Sequence, residues 1–185
     1  MTRIESLDAD AFRPLVATAA HIYGMAMRRG PELVVQRREI MTSHLARRGF
    51  RCVVALDDGD NDDEPGELAG FGYGYRGRPG EWWHDIVSEA VGRDAARRWM
   101  TDAFELAELH VRPGRQGEGL GRRIAERLVA EAGTRTMVLS THDVESPARS
   151  LYRSLGFVDI ECGFVFPGGI EVYAIMARVL SDRSA

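Results

Sequence analysis

The chain has 185 residues, of which 44% are hydrophobic and 28% charged, a composition typical of one globular domain. Its formal net charge of −4 does not favour nucleic-acid binding, and no apolar run is long enough to span a membrane. All 24 basic residues are arginines, which excludes a Schiff-base lysine and a phosphate loop of the Walker type.

The elements predicted for the first half of the chain begin with helices. Asp8 and Asp10 are candidate N-cap residues before an amphipathic helix predicted over 12–27, and Gly30 and Pro31 end it. A second helix is predicted over 31–48 and ends at Gly49. Buried strands follow over 50–56 and 68–75, and the acidic run 57–64 between them is predicted to be a solvated loop.

The second half alternates helices with strands. The predicted elements are a short helical insertion over 76–101, strands over 103–111 and 136–140, helices over 120–132 and 147–155, and a hairpin formed by 157–166 and 170–178. With no repeat and no linker, we expect a single domain over 1–185. The order of the elements indicates an α/β fold with a mixed sheet.

The sequence offers no metal site and no secretory signal. Cys52 and Cys162 match neither a metal spacing nor a CxxC pattern, so both are expected to be small buried residues. The first ten residues lack a basic segment followed by an apolar one. We therefore expect a cytoplasmic protein with no metal.

The most informative segment joins the strand 103–111 to the helix that begins at Leu120. It carries four glycines: Gly114, Gly117, Gly119 and Gly121. Glycines let backbone N–H groups approach a ligand closely, and the positive end of a helix suits a pyrophosphate. Arg115, Arg122 and Arg123 add positive charge there. A plain tight turn would not need four glycines.

A dinucleotide fold is a poorer explanation for this loop. It would place the glycine pattern near the start of a βαβ series, with an acidic residue about 20 positions later. In this chain the pattern lies past the midpoint, and Ser140 and Thr141 occupy the acidic region.

The strand before the loop changes its hydrophobic phase. Phe104 and Leu106 alternate with Glu105, whereas Leu109 and Val111 alternate in the opposite phase. A flip across 107–108 predicts a β-bulge, which would interrupt the ladder and leave backbone groups available for a ligand.

Two motifs in this region resemble those of the GCN5-related N-acetyltransferase (GNAT) superfamily. The family's Gln/Arg-x-x-Gly-x-Gly/Ala pattern reads Gln116-Gly-Glu-Gly119-Leu-Gly121 in this chain. Its Ala-x-x-Leu-Tyr-x-x-x-Gly-Phe pattern reads Ala148-Arg-Ser-Leu151-Tyr152-Arg-Ser-Leu-Gly156-Phe157. The resemblance implies a mostly antiparallel twisted sheet flanked by helices, with two strands splayed where acetyl-CoA binds.

The resemblance also implies cofactor contacts. Acetyl-CoA, the cosubstrate, would place its pantetheine arm along the backbone of residues 109–111 and its pyrophosphate on the loop. The cofactor-binding residues expected on this basis are Leu109, His110, Val111, Gln116, Gly117, Glu118, Gly119, Leu120, Gly121, Arg122 and Ser146. Ser146 is included because Glu145 stands where many members have asparagine, and a carboxylate cannot donate an amide N–H.

The same resemblance implies direct transfer of the acetyl group to an amine. Tyr152 occupies the position of a tyrosine that in many members protonates the leaving thiolate. A free backbone N–H near Leu109 would polarise the thioester carbonyl. Glu105 matches a position where several members carry the general base, and Glu108 and His110 on the same strand are alternatives. His21 and His84 are weaker candidates for the base.

The sequence does not determine the acceptor. We expect a primary amine of a small molecule, with a protein amine or a non-catalytic acyl-CoA sensor as alternatives. The candidate substrate-binding residues are Tyr23 of the first predicted helix and the pair Trp82 and Trp83 of the insertion. The two tryptophans stand close to a Gly-Arg-Pro turn and are therefore expected to be partly exposed. The tryptophan pair would alternatively cover a homodimer interface. Neither nucleic acid nor a membrane is expected as a partner.

Overall fold

The computed structural model describes residues 1–57 and 66–180. Most of the acidic run predicted as a loop lies outside the described residues. The chain divides into two compact units: the first contains Met1–Tyr75 and Glu108–Glu131, and the second contains Arg76–Ala107 and the segment from Ala132 onward.

Three antiparallel strands form most of the sheet in the first unit. They are β1 (Thr2–Leu7), β2 (Arg51–Asp57) and β3 (Glu67–Arg76), in the order β1-β2-β3. Strand β1 is not predicted from the sequence, in which polar Arg3 and Glu5 alternate with Ile4. A six-residue strand with so few apolar side chains gives a weak periodic signal, and its pairing with β2 supplies the stabilising contacts.

The helices of the first unit are close to the predicted positions. Asp8 caps α1 (Ala9–Phe12) by accepting a hydrogen bond from the Ala11 N–H at 2.9 Å. A 3₁₀ turn at Arg13–Leu15 separates α1 from α2 (Val16–Met27), because Pro14 has no N–H to donate. The predicted single helix is therefore divided. The second predicted helix is α3 (Pro31–His44).

Helix α5 (Leu120–Glu131) packs closely on glycines of β3. A Cβ on Gly72 would lie 2.9 Å from Ile124 Cγ2 and 3.1 Å from Leu128 Cδ1. Both of these side chains are fully buried. The glycines of β3 thus allow the apolar face of α5 to approach the sheet.

The second unit contains a mixed set of strands in the order β4-β5-β7-β6. Strand β4 (Ala103–Val111) begins here and pairs in parallel with β5 (Thr136–His142). Strands β6 (Val158–Val165) and β7 (Val172–Val179) form the predicted hairpin, and β7 also pairs antiparallel with β5.

The helical insertion is longer than the short one predicted. Helix α4 extends over Trp82–Trp99, with a non-helical residue at Gly92 (φ 79°). Its Val87 and Trp99 pack with Val138 of β5 and Ile175 of β7 in one buried cluster. Helix α6 (Pro147–Ser154) also contacts β5.

The predicted fold class is confirmed: the described chain is a mixed α/β structure with mostly antiparallel strands and flanking helices. The single-domain organisation and the β-bulge at 107–108 stay predictions. One expectation is wrong, since Cys162 is exposed whereas Cys52 is buried. Cys162 lies on β6 where the pairing with β7 shifts register, so its side chain is not enclosed. Burial raises the pKa of the Cys52 thiol.

Candidate active site

The glycine loop of the first unit has the backbone shape of an anion site. Gly117 and Gly119 have φ angles of 86° and 78°, which favour glycine. Arg123 N–H donates to the Gly119 carbonyl at 3.1 Å, so α5 starts directly after the last of these two residues. The N–H groups of the first helical turn have no acceptor within the helix, and they are available to an anion.

Several charged side chains of the loop pair with one another. Arg115 donates to Glu118 at 2.8–3.0 Å and also pairs with Asp57. The hydrogen bond from Arg115 lowers the pKa of the Glu118 carboxyl group. Arg122 forms an ion pair with Glu126 at 3.5 Å. The positive charge predicted for this end of α5 is thus partly balanced by carboxylates.

Gln116 fixes the start of the loop. Its Nε2 donates to the Val111 carbonyl at 3.1 Å, which ties the first residue of the motif to the end of β4. Leu109 and Val111 point towards α5, because their side chains lie within 3.2 Å of the Cβ positions of Gly72 and Gly70. The intervening residues of β4 therefore point to the opposite face.

On that opposite face, Glu108 and His110 belong to a polar cluster that also contains Tyr23 and Arg37, and of these Glu108 and Tyr23 are buried. Glu108 accepts hydrogen bonds from Arg37 Nη1 at 3.0 Å and pairs with His110 Nε2 at 2.6 Å. Arg37 Nη2 donates to the Tyr23 hydroxyl at 3.3 Å, and the guanidinium lies over the Tyr23 ring. Burial opposes the charge on Arg37, but Glu108 and Tyr23 together raise its pKa.

Arg37 was not predicted as a site residue. It lies in the middle of α3, and an arginine on a polar helix has the pattern of a solvated side chain. Only the packing of α3 in the first unit places it next to Glu108. The contact gives Glu108 and His110 fixed partners, which favours a structural role for this pair.

In the second unit, Glu105 lies at the last pair of the β4–β5 ladder. The register runs from Ala103↔Thr136 to Glu105↔Val138, although β5 continues to His142. The carboxylate is buried, and it packs directly against Gly77, where a Cβ would collide with it. The carboxylate is therefore shielded from solvent, because only 3% of Glu105 is exposed.

Tyr152 is a buried residue of α6, and its ring contacts Phe157 edge-on at 5.8 Å. Ser146 is the N-cap of the same helix and accepts a hydrogen bond from the Arg149 N–H at 3.2 Å. Glu145 forms an ion pair with Arg153 at 2.8 Å. Glu145, which stands at the asparagine position of the family motif, is thus held by an arginine in the last turn of α6.

Arg149 connects α6 to its neighbours. It is buried, and it pairs with Asp143 and with Asp159 at 3.0 Å. Asp143 also accepts the Gly163 N–H at 2.7 Å, and this bond together with Arg149 lowers the pKa of the Asp143 carboxyl group. These contacts fasten the helix that carries Tyr152.

The two tryptophans of α4 have different environments. Trp83 Nε1 donates to Ser140 Oγ at 3.3 Å, and its ring packs against the core of the second unit. Trp82 is 57% exposed and contacts Phe166 at 5.6 Å between ring centroids. The expected partial exposure of the pair applies mainly to Trp82.

Each unit gathers a different set of the predicted site residues. The first unit holds the residues 109–111 and 116–122 together with Tyr23. The second holds Glu105, Trp82, Trp83, Ser146 and Tyr152. Within the described residues, no group of three or more His, Cys, Asp or Glu side chains is placed to hold a metal ion. No helix in the described ranges has the length and apolar character needed to cross a membrane.

Comparison with known proteins identifies the family. A family model described as an acetyltransferase (GNAT) domain matches residues 48–159, more than half of the chain. The chain belongs to the GNAT family. A relative named GCN5-like protein acetyltransferase, from Mycobacterium tuberculosis, is 36% identical over 187 residues, covering 88% of this chain and 90% of the relative.

Solved GNAT structures share the fold at low sequence identity. A putative GNAT acetyltransferase from Desulfovibrio desulfuricans has a TM-score of 0.65 at 19% identity, covering 98% of this chain and all of that one. The ribosomal-protein-S18-alanine N-acetyltransferase of Escherichia coli has a TM-score of 0.64 at 22% identity, covering 100% and 99%. YncA of Salmonella typhimurium, solved with acetyl-CoA, has a TM-score of 0.63 at 21% identity, covering 100% and 97%.

Proposed function

We propose that this GNAT protein is a cytoplasmic, acetyl-CoA-dependent N-acetyltransferase. The observation that carries the proposal is the loop of the first unit, where two glycines with positive φ lead directly into α5. This backbone exposes amide donors to a pyrophosphate, as the cosubstrate requires. The solved relative with bound acetyl-CoA supports the same assignment by fold.

The proposed cofactor contacts follow the sequence motifs. The amides of residues 117–122 hold the pyrophosphate, and the backbone of residues 109–111 pairs with the pantetheine arm. Glu118 contributes through its backbone, because its carboxylate is bound to Arg115. The Ser146 hydroxyl already accepts a hydrogen bond as the N-cap of α6. It therefore contacts the cosubstrate through its second lone pair or through its proton.

The proposed chemistry is direct attack of a neutral amine on the thioester. The new N–C bond forms as the C–S bond breaks, and the amine proton passes to a base while the thiolate takes one from an acid. We assign the acid to Tyr152 and the base to Glu105, which acts directly or through water. Glu108 and His110 are the alternative bases, although their mutual hydrogen bond and the bond to Arg37 favour a structural role.

The acceptor belongs to one of two classes that share a primary amine. The first class is a small molecule, as expected from the sequence. A specific observation favours the other class: the relative with 36% identity is named a protein acetyltransferase. A lysine side chain or a protein N-terminus is therefore the second candidate.

A transfer screen tests the proposal. Purified protein is incubated with acetyl-CoA and either pooled small amines or lysine-containing peptides, and release of free thiol is measured against a protein-free blank. Amine-dependent thiol release supports an N-acetyltransferase, and the active pool identifies the acceptor class. Binding of acetyl-CoA without thiol release from any pool would instead indicate the acyl-CoA sensor.

A further inference from the structure

Helix α4 covers only part of one face of β5 and β7. Alternate residues of a strand share a face, so Val138, Ser140 and His142 point the same way. Val138 is in the core beneath α4, and Ser140 is hydrogen-bonded to Trp83 in the first turn of that helix. His142 is the next residue on this face, beyond the start of the helix, and its side chain is 35% exposed.

Two further side chains lie beside His142 and form a polar group with it. They are Tyr173 of β7 and Glu171, which immediately precedes that strand. Tyr173 is the register partner of His142, and the two rings are 5.1 Å apart. The Tyr173 hydroxyl donates to Glu171 at 2.9 Å, and Glu171 lies 3.5 Å from His142 Nε2. The side chains of His142 and Glu171 are 35% and 41% exposed, so a carboxylate fixed by a phenol remains accessible to a ligand.

Aromatic rings form a wall along one side of this polar group. Phe166 contacts Tyr173 at 5.1 Å and Trp82 at 5.6 Å between ring centroids. Trp82 is more than half exposed although it is a large apolar side chain. We call the surface formed by Trp82, His142, Phe166, Glu171 and Tyr173 the acceptor ledge.

A carboxylate next to aromatic faces is suited to an organic cation. The ring faces attract positive charge, and the carboxylate accepts charge-assisted hydrogen bonds from an ammonium group. A neutral acetamide offers neither interaction at comparable strength, so such a surface distinguishes an amine from its acetylated product.

We propose that the acceptor ledge captures the acceptor in its ammonium form, before the amine loses its proton to Glu105, with Glu171 as the counter-ion of the cation and Trp82 and Phe166 as its aromatic wall. This inference rests on the proposed function, whose acceptor it locates. The shared chemistry is the ammonium group, whether it belongs to a small amine or to a lysine side chain.

The first test measures binding without turnover. The intrinsic tryptophan fluorescence of the protein is titrated with Nα-acetyl-lysine methylamide, with its Nε-acetyl derivative and with n-butylammonium. We expect a saturable change with at least one of the two cations and a much weaker one with the neutral derivative. Because the chain has three tryptophans, Trp82→Phe should remove most of the change.

The second test removes the charge of Glu171. Glu171→Gln should weaken binding of the cation about tenfold, as expected for loss of a charge-assisted contact. Glu161→Gln is the matched control, because it removes the same charge from β6 of the same hairpin, at the position opposite Ile175. This control should leave the affinity within about twofold of the wild type, a difference in binding free energy of less than about 0.5 kcal/mol.

The results separate this inference from the proposed function. A stronger response to the lysine derivative than to n-butylammonium identifies a polypeptide acceptor, and the reverse identifies a small amine. Equal responses to the cations and to the neutral derivative, equal losses in both glutamine variants, or no response at all would overturn the ledge. Stabilisation of Glu171→Gln by acetyl-CoA, measured by thermal melting, tests the cosubstrate site separately.

Discussion

At the residue scale, the central question is which side chain accepts the amine proton. Glu105 is buried at the end of the β4–β5 pairing, whereas Glu108 is committed to Arg37 and His110. A free alkylamine has a pKa of about 10, so a base is needed at neutral pH. These environments favour Glu105.

We expect Glu105→Gln to reduce kcat/KM at neutral pH by about 10²–10⁴-fold, because the amide keeps the size but cannot accept a proton. Activity should partly recover at high pH, where the free amine is abundant. The measurement is a profile of kcat/KM against pH for the wild type and the variant.

Glu108→Gln provides the contrast. It leaves Arg37 without its charged partner and should lower the free energy of unfolding by about 1–3 kcal/mol, with a smaller effect on the pH profile. If Glu108→Gln or His110→Gln carries the pH-dependent loss while Glu105→Gln behaves as wild type, the base is on the opposite face of β4. Equal mild losses in all three variants would indicate an acceptor that arrives already neutral.

Tyr152 allows a second test at this scale. Tyr152→Phe should lower kcat by about 10²–10⁴-fold and leave KM for acetyl-CoA nearly unchanged, since thiolate charge develops only in the transition state. The ring would keep its edge-on contact with Phe157, so the variant should fold normally. An unchanged kcat would show that Tyr152 serves packing alone.

At the element scale, the junction between the glycine loop and α5 is the part most sensitive to substitution. Gly119 has a φ of 78°, and a Cβ built on it meets no heavy atom within 4 Å. Gly119→Val should therefore weaken CoA binding through the side chain it places in the anion site and through backbone strain. Calorimetric titration with CoA measures the loss.

Gly163→Ala is a control for the strain at Gly119. Gly163 has a φ of 69° and similarly open space around its Cβ position, but it lies on β6. It should lose stability while its CoA affinity stays at the wild-type value. Wild-type affinity in Gly119→Val would contradict the assignment of the loop to the pyrophosphate.

Helix α6 gives a further element-scale prediction, at Ser146. As the N-cap, Ser146 should contribute about 1 kcal/mol to the free energy of unfolding, which Ser146→Ala would remove and Ser146→Thr would largely keep. Chemical denaturation measures this loss. If KM for acetyl-CoA also rises in the alanine variant, the hydroxyl contacts the cosubstrate; an unchanged KM restricts Ser146 to capping.

At the scale of the whole molecule, cosubstrate binding should stabilise the native state. At 100 times its dissociation constant, a ligand adds about 2.7 kcal/mol, which corresponds to roughly 5–10 °C in Tm for a chain of this length. Acetyl-CoA and CoA should both produce the shift, whereas NAD and ATP should not. A shift with NAD or ATP alone would remove the basis of the proposed function.

The family and most of the helices and strands are predictable from the amino-acid sequence. The spacing of apolar residues predicts α5, β2 and β3, because each of these elements buries a regular series of apolar side chains. The two motifs around Gln116 and Tyr152 indicate the GNAT family. Local patterns of this kind depend on neighbouring residues, so they can be read along the chain.

The environments of the charged groups depend instead on contacts between distant parts of the chain. β1 is stabilised by pairing with β2, and Arg37 is stabilised by a carboxylate on a strand distant in sequence. Glu171 is held by the hydroxyl group of Tyr173, whose ring lies against His142 of the neighbouring strand. These contacts join residues far apart in sequence, and the burial and hydrogen bonding of a side chain follow from its neighbours in space. For that reason the sequence named Glu105 as a base without predicting its burial, and it named Trp82 without the carboxylate beside it.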